Sequence, residues 1–329
     1  MARKTILVTG AAGFIGSHTA QTLLARGDHV VGLDNLNDYY DPARKRANVA
    51  EVRQSAPDPS GYEFVEGDIR NRALCDQLFA KYQFSAVVHL AAMAGVRISV
   101  EDPWLYYDVN LTGTLNLLDA TVRHGKPNFV LASTSSAYGA TDAVPFVETD
   151  PADRPLAPYP ASKRSAELLG YSYHHLHGVD FNALRFFTVY GPRGRPDMMA
   201  YKVLDSIFLG RKVPLYNGGN MHRDWTFVSD IVAGVIAAAD RRLGYEIINI
   251  GRGEPVLLKD FVGWIEQLAG AKAQLVDEPM MAADVKYTYA DISKARRLLG
   301  YDPKVPVRDG VERFWGWYRT AVRGQPAPA

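Results

Sequence analysis

The chain has 329 residues, of which 47% are hydrophobic and 22% are charged, and its 37 Lys and Arg residues nearly balance its 36 Asp and Glu residues. This composition excludes a disordered chain, which would be poorer in apolar residues, and it argues against a protein that binds nucleic acid through a basic surface. The length suggests roughly two domains, and the lone cysteine, Cys75, has no partner for an internal disulfide, so we expect a cytoplasmic location.

The first half of the chain alternates short apolar strands with helices. The predicted strands cover residues 5–8, 29–33, 63–65, 86–90, 129–132 and 182–187. Helices are predicted between most of them, notably up to Ala25 and over residues 110–124 and 160–177. Strands that alternate with helices are typical of a parallel sheet with helices on both faces.

The pattern changes after Tyr190, where residues 191–196 form a loop of glycine, proline and arginine. Residues 229–239 and 247–250 are again typical of a helix followed by a strand, which we expect to return to the first sheet. The sequence therefore predicts an α/β fold with a Rossmann-type doubly wound parallel sheet and a smaller mixed α/β substrate-binding domain. The sheet domain is expected to hold residues 1–190 and about 226–250, and the smaller domain about 191–225 and 251–329.

Neither a membrane span nor a metal site is predicted. The best candidate for a span, residues 231–239, ends at Asp240, well short of the about 20 residues that a span needs. His174, His175 and His177 are close in sequence, but no cluster of carboxylates or cysteines accompanies them, so we interpret them as a solvated helix end. We expect no targeting segment and no membrane or nucleic-acid partner.

A glycine-rich turn follows the first strand and opens the first helix. Its spacing is GxxGxxG, with the sequence Gly10-Ala11-Ala12-Gly13-Phe14-Ile15-Gly16. Glycines let the backbone approach a pyrophosphate, and the free N–H groups of a helix N-terminus attract its negative charge. An alternative is that the glycines only allow the helix to pack closely on the strand. The position between strand and helix favours a dinucleotide site.

Asp34 strengthens the prediction of a dinucleotide site. It ends the second strand about 20 residues after the glycines, where a carboxylate accepts hydrogen bonds from the ribose diol. Its charge would repel a 2′-phosphate, which favours NAD over NADP, although a carboxylate that only caps the loop is the alternative. Further cofactor contacts are predicted at the ends of later strands, at Asn35, Asp68, Ile69, Leu90, Ala91, Ala92 and Phe186.

A tyrosine and a lysine stand four residues apart in Tyr159-Pro160-Ala161-Ser162-Lys163. Pro160 suits the first position of a helix, on which Tyr159 and Lys163 would share one face. A nearby ammonium stabilises phenolate, so Tyr159 is a candidate general base and Lys163 is a candidate to hold the nicotinamide ribose. Such pairs are common by chance, and this one gains its meaning from the dinucleotide site.

Together these motifs resemble the extended short-chain dehydrogenase/reductases. The resemblance includes the glycine turn, Asp34, Asn110 and the Tyr/Lys pair, with the segments 90–92, 133–139, 185–192, 223–226 and 291–294. Within that superfamily, residues 34–41, 92–97 and 194–198 are similar to UDP-glucuronate 4-epimerases.

The resemblance implies a reversible 4-epimerisation of UDP-glucuronate to UDP-galacturonate. Tyr159 would take the proton of the 4-hydroxyl while C4 gives a hydride to tightly bound NAD+, and Thr134 would bridge the tyrosine and that hydroxyl. The 4-keto sugar would then turn and receive the hydride on its other face. The family also implies a homodimer, formed through the helices predicted at 110–124 and 160–177.

An epimerase that acts on a uronate must prevent decarboxylation, because oxidation at C4 produces a β-keto acid that readily loses carbon dioxide. The resemblance places Ser135, Ser136 and Thr188 at the carboxylate, whereas decarboxylases usually carry Glu at the position of Ser136 and Arg at that of Thr188. The 4,6-dehydratases usually carry Asp-Glu in place of Ser135-Ser136, and UDP-glucose 4-epimerases carry Asn in place of Thr188. Serines at strand ends can also serve only to satisfy local backbone groups.

The resemblance also implies the nucleotide contacts. Arg195 and Arg223 match diphosphate or uridine contacts, and further substrate contacts are implied at Arg97, Lys202, Tyr216 and Asp284. Where family members tend to carry Gly-Asp-Val, this chain has Met-Ala-Ala-Asp-Val over residues 281–285. The alternatives are a UDP-glucose 4-epimerase, a UDP-uronate decarboxylase and, from a different class, a non-catalytic NAD-binding sensor or scaffold.

Overall fold

The structure is a computed structural model that describes residues 3–141, 143–281 and 284–324. The strands are β1 Thr5–Thr9, β2 His29–Asp34, β3 Tyr62–Glu66, β4 Ala86–His89, β5 Asn128–Thr134, β6 Phe181–Phe186, β7 Thr188–Tyr190, β8 Lys212–Tyr216, β9 His222–Phe227, β10 Tyr245–Ile250, β11 Pro255–Leu257 and β12 Gln274–Glu278. The helices are α1 Phe14–Ala25, α2 Pro42–Ser55, α3 Arg72–Lys81, α4 Ile98–Glu101, α5 Pro103–Tyr107, α6 Gly113–Arg123, α7 Pro158–His177, α8 Met199–Leu209, α9 Val228–Ala239, α10 Leu258–Ala269, α11 Ser293–Leu299 and α12 Val307–Trp317.

Seven of these strands form one parallel sheet in the order β10-β6-β5-β4-β1-β2-β3. Alternate residues of a strand face opposite sides, so Ile6 and Val8 pack in one apolar cluster while Leu7 packs in another. Helices cover both faces, as the continuous apolar strands predict. The order reverses beside β1, and in such sheets ligands bind outside the carboxyl ends of the strands at the reversal.

The predicted fold class is confirmed. The strand predicted at 247–250 lies within β10, which pairs with β6 in parallel and so returns to the first sheet. One boundary differs, because α7 begins at Pro158 rather than at Pro160. Pro158 takes the first helical position after the extended Ala157, and Pro160 is tolerated because N–H groups in the first turn have no partner within the helix.

The remaining strands form two small sheets beside the large one. Strands β11, β9 and β7 make one sheet, and β8 pairs in parallel with β12. Trp225 on β9 is buried and stacks on Phe261 of α10 with a centroid distance of 3.8 Å, so it is a packing residue. In the part of the chain that the structure describes, no helix is long and apolar enough to cross a membrane.

Candidate active site

A cavity of about 560 Å³ lies at the carboxyl ends of the central strands. Its walls come from the turn after β1, from the ends of β2, β4, β5 and β6, and from the start of α7. Residues 195–198 and Asp284 close it on the side of the small sheets. The cavity therefore occupies the position at which doubly wound sheets bind ligands.

The glycine turn is built by close backbone contacts. Gly10 has φ +69, and a Cβ atom there would lie 2.8 Å from the backbone nitrogen of Ala91. A Cβ atom at Gly16 would lie 2.0 Å from the carbonyl oxygen of Gly10. Packing of α1 on the strands thus requires both glycines, and the end of α1 at Gly13 carries no side-chain cap. A helix end of this kind suits a phosphate group.

Asp34 supports the glycine turn from the end of β2. Its carboxylate accepts hydrogen bonds from the backbone N–H of Ala12 at 3.0 Å and of Leu36 at 2.9 Å. Burial raises the pKa of Asp34, and these backbone bonds oppose the rise. The carboxylate therefore caps a loop and lines the cavity at once, so the two interpretations of Asp34 are compatible.

Asp68 carries the second carboxylate on this side of the cavity. The side-chain amide of Asn35 donates to it at 2.9 Å, and Arg70 also donates to it. Burial alone would raise the pKa of Asp68, but the bonds from Arg70 and Asn35 outweigh burial and lower the pKa to about 2. The group is therefore a permanent hydrogen-bond acceptor at neutral pH.

Tyr159 and Lys163 both line the cavity from the first turns of α7. Burial raises the pKa of Tyr159, while a hydrogen bond with Thr134 and the charge of Arg195 oppose that rise. The sequence predicts that Lys163 lowers this pKa, whereas in the structure burial raises it and the cation that opposes the rise is Arg195. The Tyr159–Thr134 contact is the one that the resemblance implies.

The ammonium group of Lys163 is the clearest sign of an absent ligand. Its Nζ atom is buried and has no hydrogen-bond partner among the described residues. Burial lowers the pKa of Lys163 to about 8, and the charge of Glu167 opposes the decrease. Because a buried polar group costs free energy unless it is hydrogen-bonded, Lys163 needs a partner that the described residues do not supply. A ribose hydroxyl fits this requirement, and the glycine turn fits a pyrophosphate.

Asn110 connects the loop after β4 to α7. Its amide donates to the carbonyl of Met93 at 3.0 Å and to Ser162 Oγ at 2.9 Å, and its side-chain oxygen accepts from the N–H of Met93 at 2.8 Å. Asn110 lies in a π-type turn between α5 and α6. It thereby fixes the residue beside Lys163 against the cavity wall.

Three hydroxyl side chains, those of Ser135, Ser136 and Thr188, stand beside Tyr159 on the cavity wall. They also line an adjoining cavity of about 160 Å³, together with Arg223 and Asp284. No hydrogen bond joins these three hydroxyls to another group in residues 3–141, 143–281 and 284–324, whereas Thr134 Oγ1 accepts from the N–H of Ser136 at 3.1 Å. The hydroxyls do not satisfy local backbone groups here, and they are free to bind an anion.

The cations of the substrate side are largely paired with aspartates. Arg195 donates two hydrogen bonds to Asp197, at 2.9 and 2.7 Å, and Tyr39 donates to the same carboxylate at 3.2 Å. Arg97 donates to Asp284 at 2.9 Å. These pairs place positive charge at the cavity wall in fixed orientations.

Most of the predicted site residues meet at this one cavity. Those that line it are Gly10, Gly13, Phe14, Ile15, Gly16, Asp34, Asn35, Asp68, Ile69, Leu90, Ala91, Ala92, Arg97, Thr134, Ser135, Ser136, Tyr159, Lys163, Phe186, Thr188, Arg195, Lys202 and Asp284.

Two predicted substrate contacts lie elsewhere. Arg223 lines only the smaller cavity, where it donates to the carbonyls of His222 and Lys286 at 2.8 and 3.4 Å. Tyr216 lies beneath Arg97, whose guanidinium carbon is 3.9 Å from the centre of its ring, and it lines neither cavity. Of the altered segment 281–283, residues 282 and 283 lie outside the described residues.

Three side chains at or beneath the site, those of Tyr39, Asp197 and Glu167, are not among the residues predicted from the sequence. Tyr39 and Asp197 belong to the two segments, 34–41 and 194–198, that carried the resemblance but received no role of their own. Glu167 follows Lys163 by four residues, so its place on the same helix face was available from the spacing alone.

Known proteins that resemble this chain belong to the same family as the sequence motifs indicate. A family model described as the NAD dependent epimerase/dehydratase family matches residues 6–251. A UDP-glucuronate 4-epimerase of Thermodesulfobacterium geofontis is 45% identical over 317 residues, which are 96% of each chain.

Two solved structures extend the comparison. A UDP-glucuronic acid 4-epimerase of Bacillus cereus, in complex with UDP-glucuronic acid and NAD, superposes with a TM-score of 0.88 at 34% identity, covering 96% of this chain and 99% of that one. A UDP-glucose 4-epimerase of Thermotoga maritima, solved with UDP-glucose, superposes with a TM-score of 0.86 at 29% identity. The match covers 97% of this chain and 99% of that one. The fold therefore does not separate the two activities. The chain belongs to the NAD dependent epimerase/dehydratase family.

Proposed function

We propose that this protein is a UDP-glucuronate 4-epimerase that uses bound NAD to interconvert UDP-glucuronate and UDP-galacturonate. The observation that carries the proposal is the group of three free hydroxyls, Ser135, Ser136 and Thr188, beside Tyr159 and Thr134 in one cavity. An epimerase acting on a neutral sugar has no carboxylate for these hydroxyls to hold. The similarity to UDP-glucuronate 4-epimerases over nearly the whole chain supports the same conclusion.

NAD would lie along the carboxyl edge of the sheet. The glycine turn and the start of α1 would hold its pyrophosphate, Asp34 the adenine ribose and Lys163 the nicotinamide ribose. When bound, NAD+ supplies the oxidation of C4 and the return of the same hydride. The buried, unpartnered Nζ atom of Lys163 supports this placement.

Tyr159 would move the proton. Its phenolate accepts the proton of the sugar 4-hydroxyl as C4 is oxidised, and the same proton returns to the oxygen when C4 is reduced on the opposite face. Thr134, which lines the same cavity as Tyr159, would orient that hydroxyl. The fixed cation Arg195 favours the phenolate and so assists the transfer.

The three hydroxyls would prevent loss of carbon dioxide from the 4-keto intermediate. Decarboxylation requires the bond to the carboxylate to align with the π system of the ketone. Hydrogen bonds to a charged group contribute roughly 1.5–3 kcal/mol each, enough together to hold the carboxylate away from that alignment. Release of carbon dioxide is therefore a sensitive measure of these contacts.

We further infer two domains with the boundaries expected from the sequence, and a homodimer. The return of β10 to the large sheet supports the interleaved boundaries. Large apolar side chains on α5 and α7 are exposed, notably Trp104 at 84% and Leu176 at 69%, and a second copy would cover them. Sedimentation should give a dimer at micromolar concentration, and Trp104→Glu should shift it toward monomer.

The proposed activity is tested by an anomeric-proton NMR time course. Purified protein is incubated separately with UDP-glucuronate and UDP-glucose, with Tyr159→Phe as the inactive control. We expect UDP-galacturonate to accumulate from UDP-glucuronate, with slower change of UDP-glucose. Faster change of UDP-glucose, release of a UDP-pentose, or absence of turnover by NAD-loaded protein would instead support the glucose epimerase, the decarboxylase or the sensor.

A further inference from the structure

A buried carboxylate lies beneath the catalytic pair on α7. Glu167 follows Lys163 by four residues and Tyr159 by eight, so the three side chains share one face of the helix. Glu167 is fully buried, with a relative exposure of 0%. A buried carboxylate is tolerated only where hydrogen bonds and opposite charge compensate the loss of water, so its partners identify its role.

Those partners come from two strands of the large sheet and from α7 itself. The hydroxyl of Ser133 donates to one carboxylate oxygen of Glu167 at 2.5 Å. Arg185 on β6 donates from Nε at 3.0 Å and from Nη2 at 2.8 Å, one bond to each oxygen. Arg164 donates to the second oxygen at 3.1 Å. The carboxylate thus joins the catalytic helix to β5 and β6 at once.

The two strand residues adjoin the reacting groups. Ser133 immediately precedes Thr134, which lines the cavity with Tyr159 and opposes the rise in its pKa, and Arg185 immediately precedes the cavity residue Phe186. Arg185 is itself fixed, because its guanidinium lies 4.5 Å from the ring centre of Tyr138. A shift of Glu167 would therefore move Tyr159 relative to Thr134.

The charge of Glu167 also faces Lys163. Glu167 from α7 raises the pKa of this ammonium, and the ammonium in turn lowers the pKa of His89 on β4. The guanidinium groups of Arg164 and Arg185 are bonded to Glu167 itself. Burial lowers the pKa of His89 well below its ordinary value, so the ring is neutral, and it is held between Thr9 at 2.7 Å and Thr114 at 3.0 Å. The negative charge that opposes the decrease in the pKa of Lys163 is therefore that of Glu167.

We propose that Glu167 is a positioning residue of the reaction, which fixes Tyr159 and Lys163 against Thr134 and supplies the negative charge that faces Lys163. The inference rests on the proposed function only for the identity of the substrate. The contacts that carry it lie within the chain, and part of its test needs no turnover.

The central variant is Glu167→Gln, which keeps the shape of the side chain and removes its charge. We expect kcat to fall by about 10- to 100-fold, since misplacement of reacting groups by about 1 Å has effects of this size, while KM stays within about threefold. In a plot of kcat against pH, the decrease on the alkaline side (the alkaline limb) should occur at a lower pH than in the parent protein. The sign follows from the charge: without the carboxylate, the ammonium of Lys163 loses its proton at a lower pH.

Two further variants separate charge from structure. Glu266→Gln on α10 is the matched control, because Glu266 is also buried and also has a cationic partner, Lys272, but lies outside both cavities. It should leave kcat and the alkaline limb unchanged. Ser133→Ala removes one bond to Glu167 and keeps the charge, so it should lower kcat about tenfold without moving the limb.

NMR titration of protein with 13C-labelled lysines measures the pKa of Lys163 directly and without turnover. The Lys163→Gln variant assigns the signal. We expect the midpoint of Lys163 to fall in Glu167→Gln and to stay in Glu266→Gln and Ser133→Ala. An unchanged midpoint and alkaline limb in Glu167→Gln would overturn the proposal. If that variant does not fold, normal kcat in Ser133→Ala would overturn it. A substrate other than UDP-glucuronate would refute the proposed function and leave these readouts intact.

Discussion

The two halves of the cavity are built in different ways. On the cofactor side, the walls are backbone and short side chains that follow directly from consecutive strands, and Asp34 is bonded to backbone N–H groups. On the substrate side, the walls are the short hydroxyl side chains of Ser135, Ser136 and Thr188 together with longer polar and charged side chains. Two of the hydrogen bonds among the longer side chains join residues that are far apart in sequence. Tyr39 and Asp197 are 158 residues apart, and Arg97 and Asp284 are 187 apart.

We call the cofactor side the fixed half of the cavity and the substrate side the adjustable half, because substitutions affect the two sides differently. A change in the cofactor half must move backbone, so it affects folding and NAD binding together. A change in the substrate half replaces one side-chain contact and leaves the sheet intact, so it alters the choice of sugar or the fate of the intermediate. The catalytic pair on α7 stands between the halves and depends on both.

The largest effect on activity is expected for Tyr159, which lies between the two halves of the cavity. Tyr159→Phe removes the proton acceptor, so kcat should fall at least about 100-fold, the lower range for a positioned acid–base group. NAD should remain bound, because the phenol oxygen is not needed to hold it. Turnover and the NAD content of the purified variant are the measurements, and Tyr173→Phe on the same helix is the control. Turnover near that of the parent protein would contradict the role of Tyr159.

Gly10→Ala tests the fixed half. The new Cβ atom would meet the backbone of Ala91 and Leu90 below 3 Å, and φ at Gly10 is +69. Strain and overpacking together should cost about 2–5 kcal/mol of stability, with loss of bound NAD. Gly27→Ala has φ +95 but open space around it, so it should cost about 1 kcal/mol and retain NAD. Equal melting temperatures and NAD contents for the two variants would show that the close contact at Gly10 is unimportant.

Thr188→Arg and Ser136→Glu test the adjustable half. Each removes a hydroxyl that would hold the uronate, so the fraction of turnovers that release carbon dioxide should rise about tenfold, as for the loss of one bond to a charged group. Carbon dioxide release from UDP-glucuronate is compared with epimer formed, and Ser60→Glu at an exposed site is the control. Unchanged product ratios would leave these hydroxyls without the proposed role.

The smallest effect is expected from Tyr39→Phe. It removes one hydrogen bond of 3.2 Å to Asp197 and leaves the Arg195–Asp197 pair in place. The loss of about 0.5–1.5 kcal/mol should raise KM for the UDP-sugar by about two- to tenfold and change kcat little. Tyr62→Phe is the control, since the buried hydroxyl of Tyr62 has no partner among the described residues. A fall in kcat without a rise in KM would place Tyr39 in the catalytic step instead.

The cofactor half could be predicted from the sequence because its signals are local. Apolar strands, the glycine turn and Asp34 follow one another within the first 34 residues, and each has a physical reason at its own position. The spacing of Tyr159 and Lys163 is equally local. The start of α7 was misplaced by two residues because either Pro158 or Pro160 suits the first turn.

The substrate half could not be derived in this way. The resemblance implies a diphosphate or uridine contact for Arg195, and nothing near Arg195 in sequence indicates that Tyr39 shares its carboxylate partner, Asp197. Such contacts are set by tertiary packing, and only the resemblance linked the segments involved. Tyr216 is a further example, since its contact with the guanidinium of Arg97 joins residues that are far apart in sequence.

The central claim is that C4 is oxidised and then reduced by the same hydride inside one cavity. UDP-glucuronate labelled with deuterium at C4 tests it directly when the purified protein turns it over in ordinary water. We expect the UDP-galacturonate formed to retain deuterium at C4, with a reduced rate of conversion. Loss of the label to solvent would contradict the account, because it would require a route in which C4 exchanges its hydrogen with water.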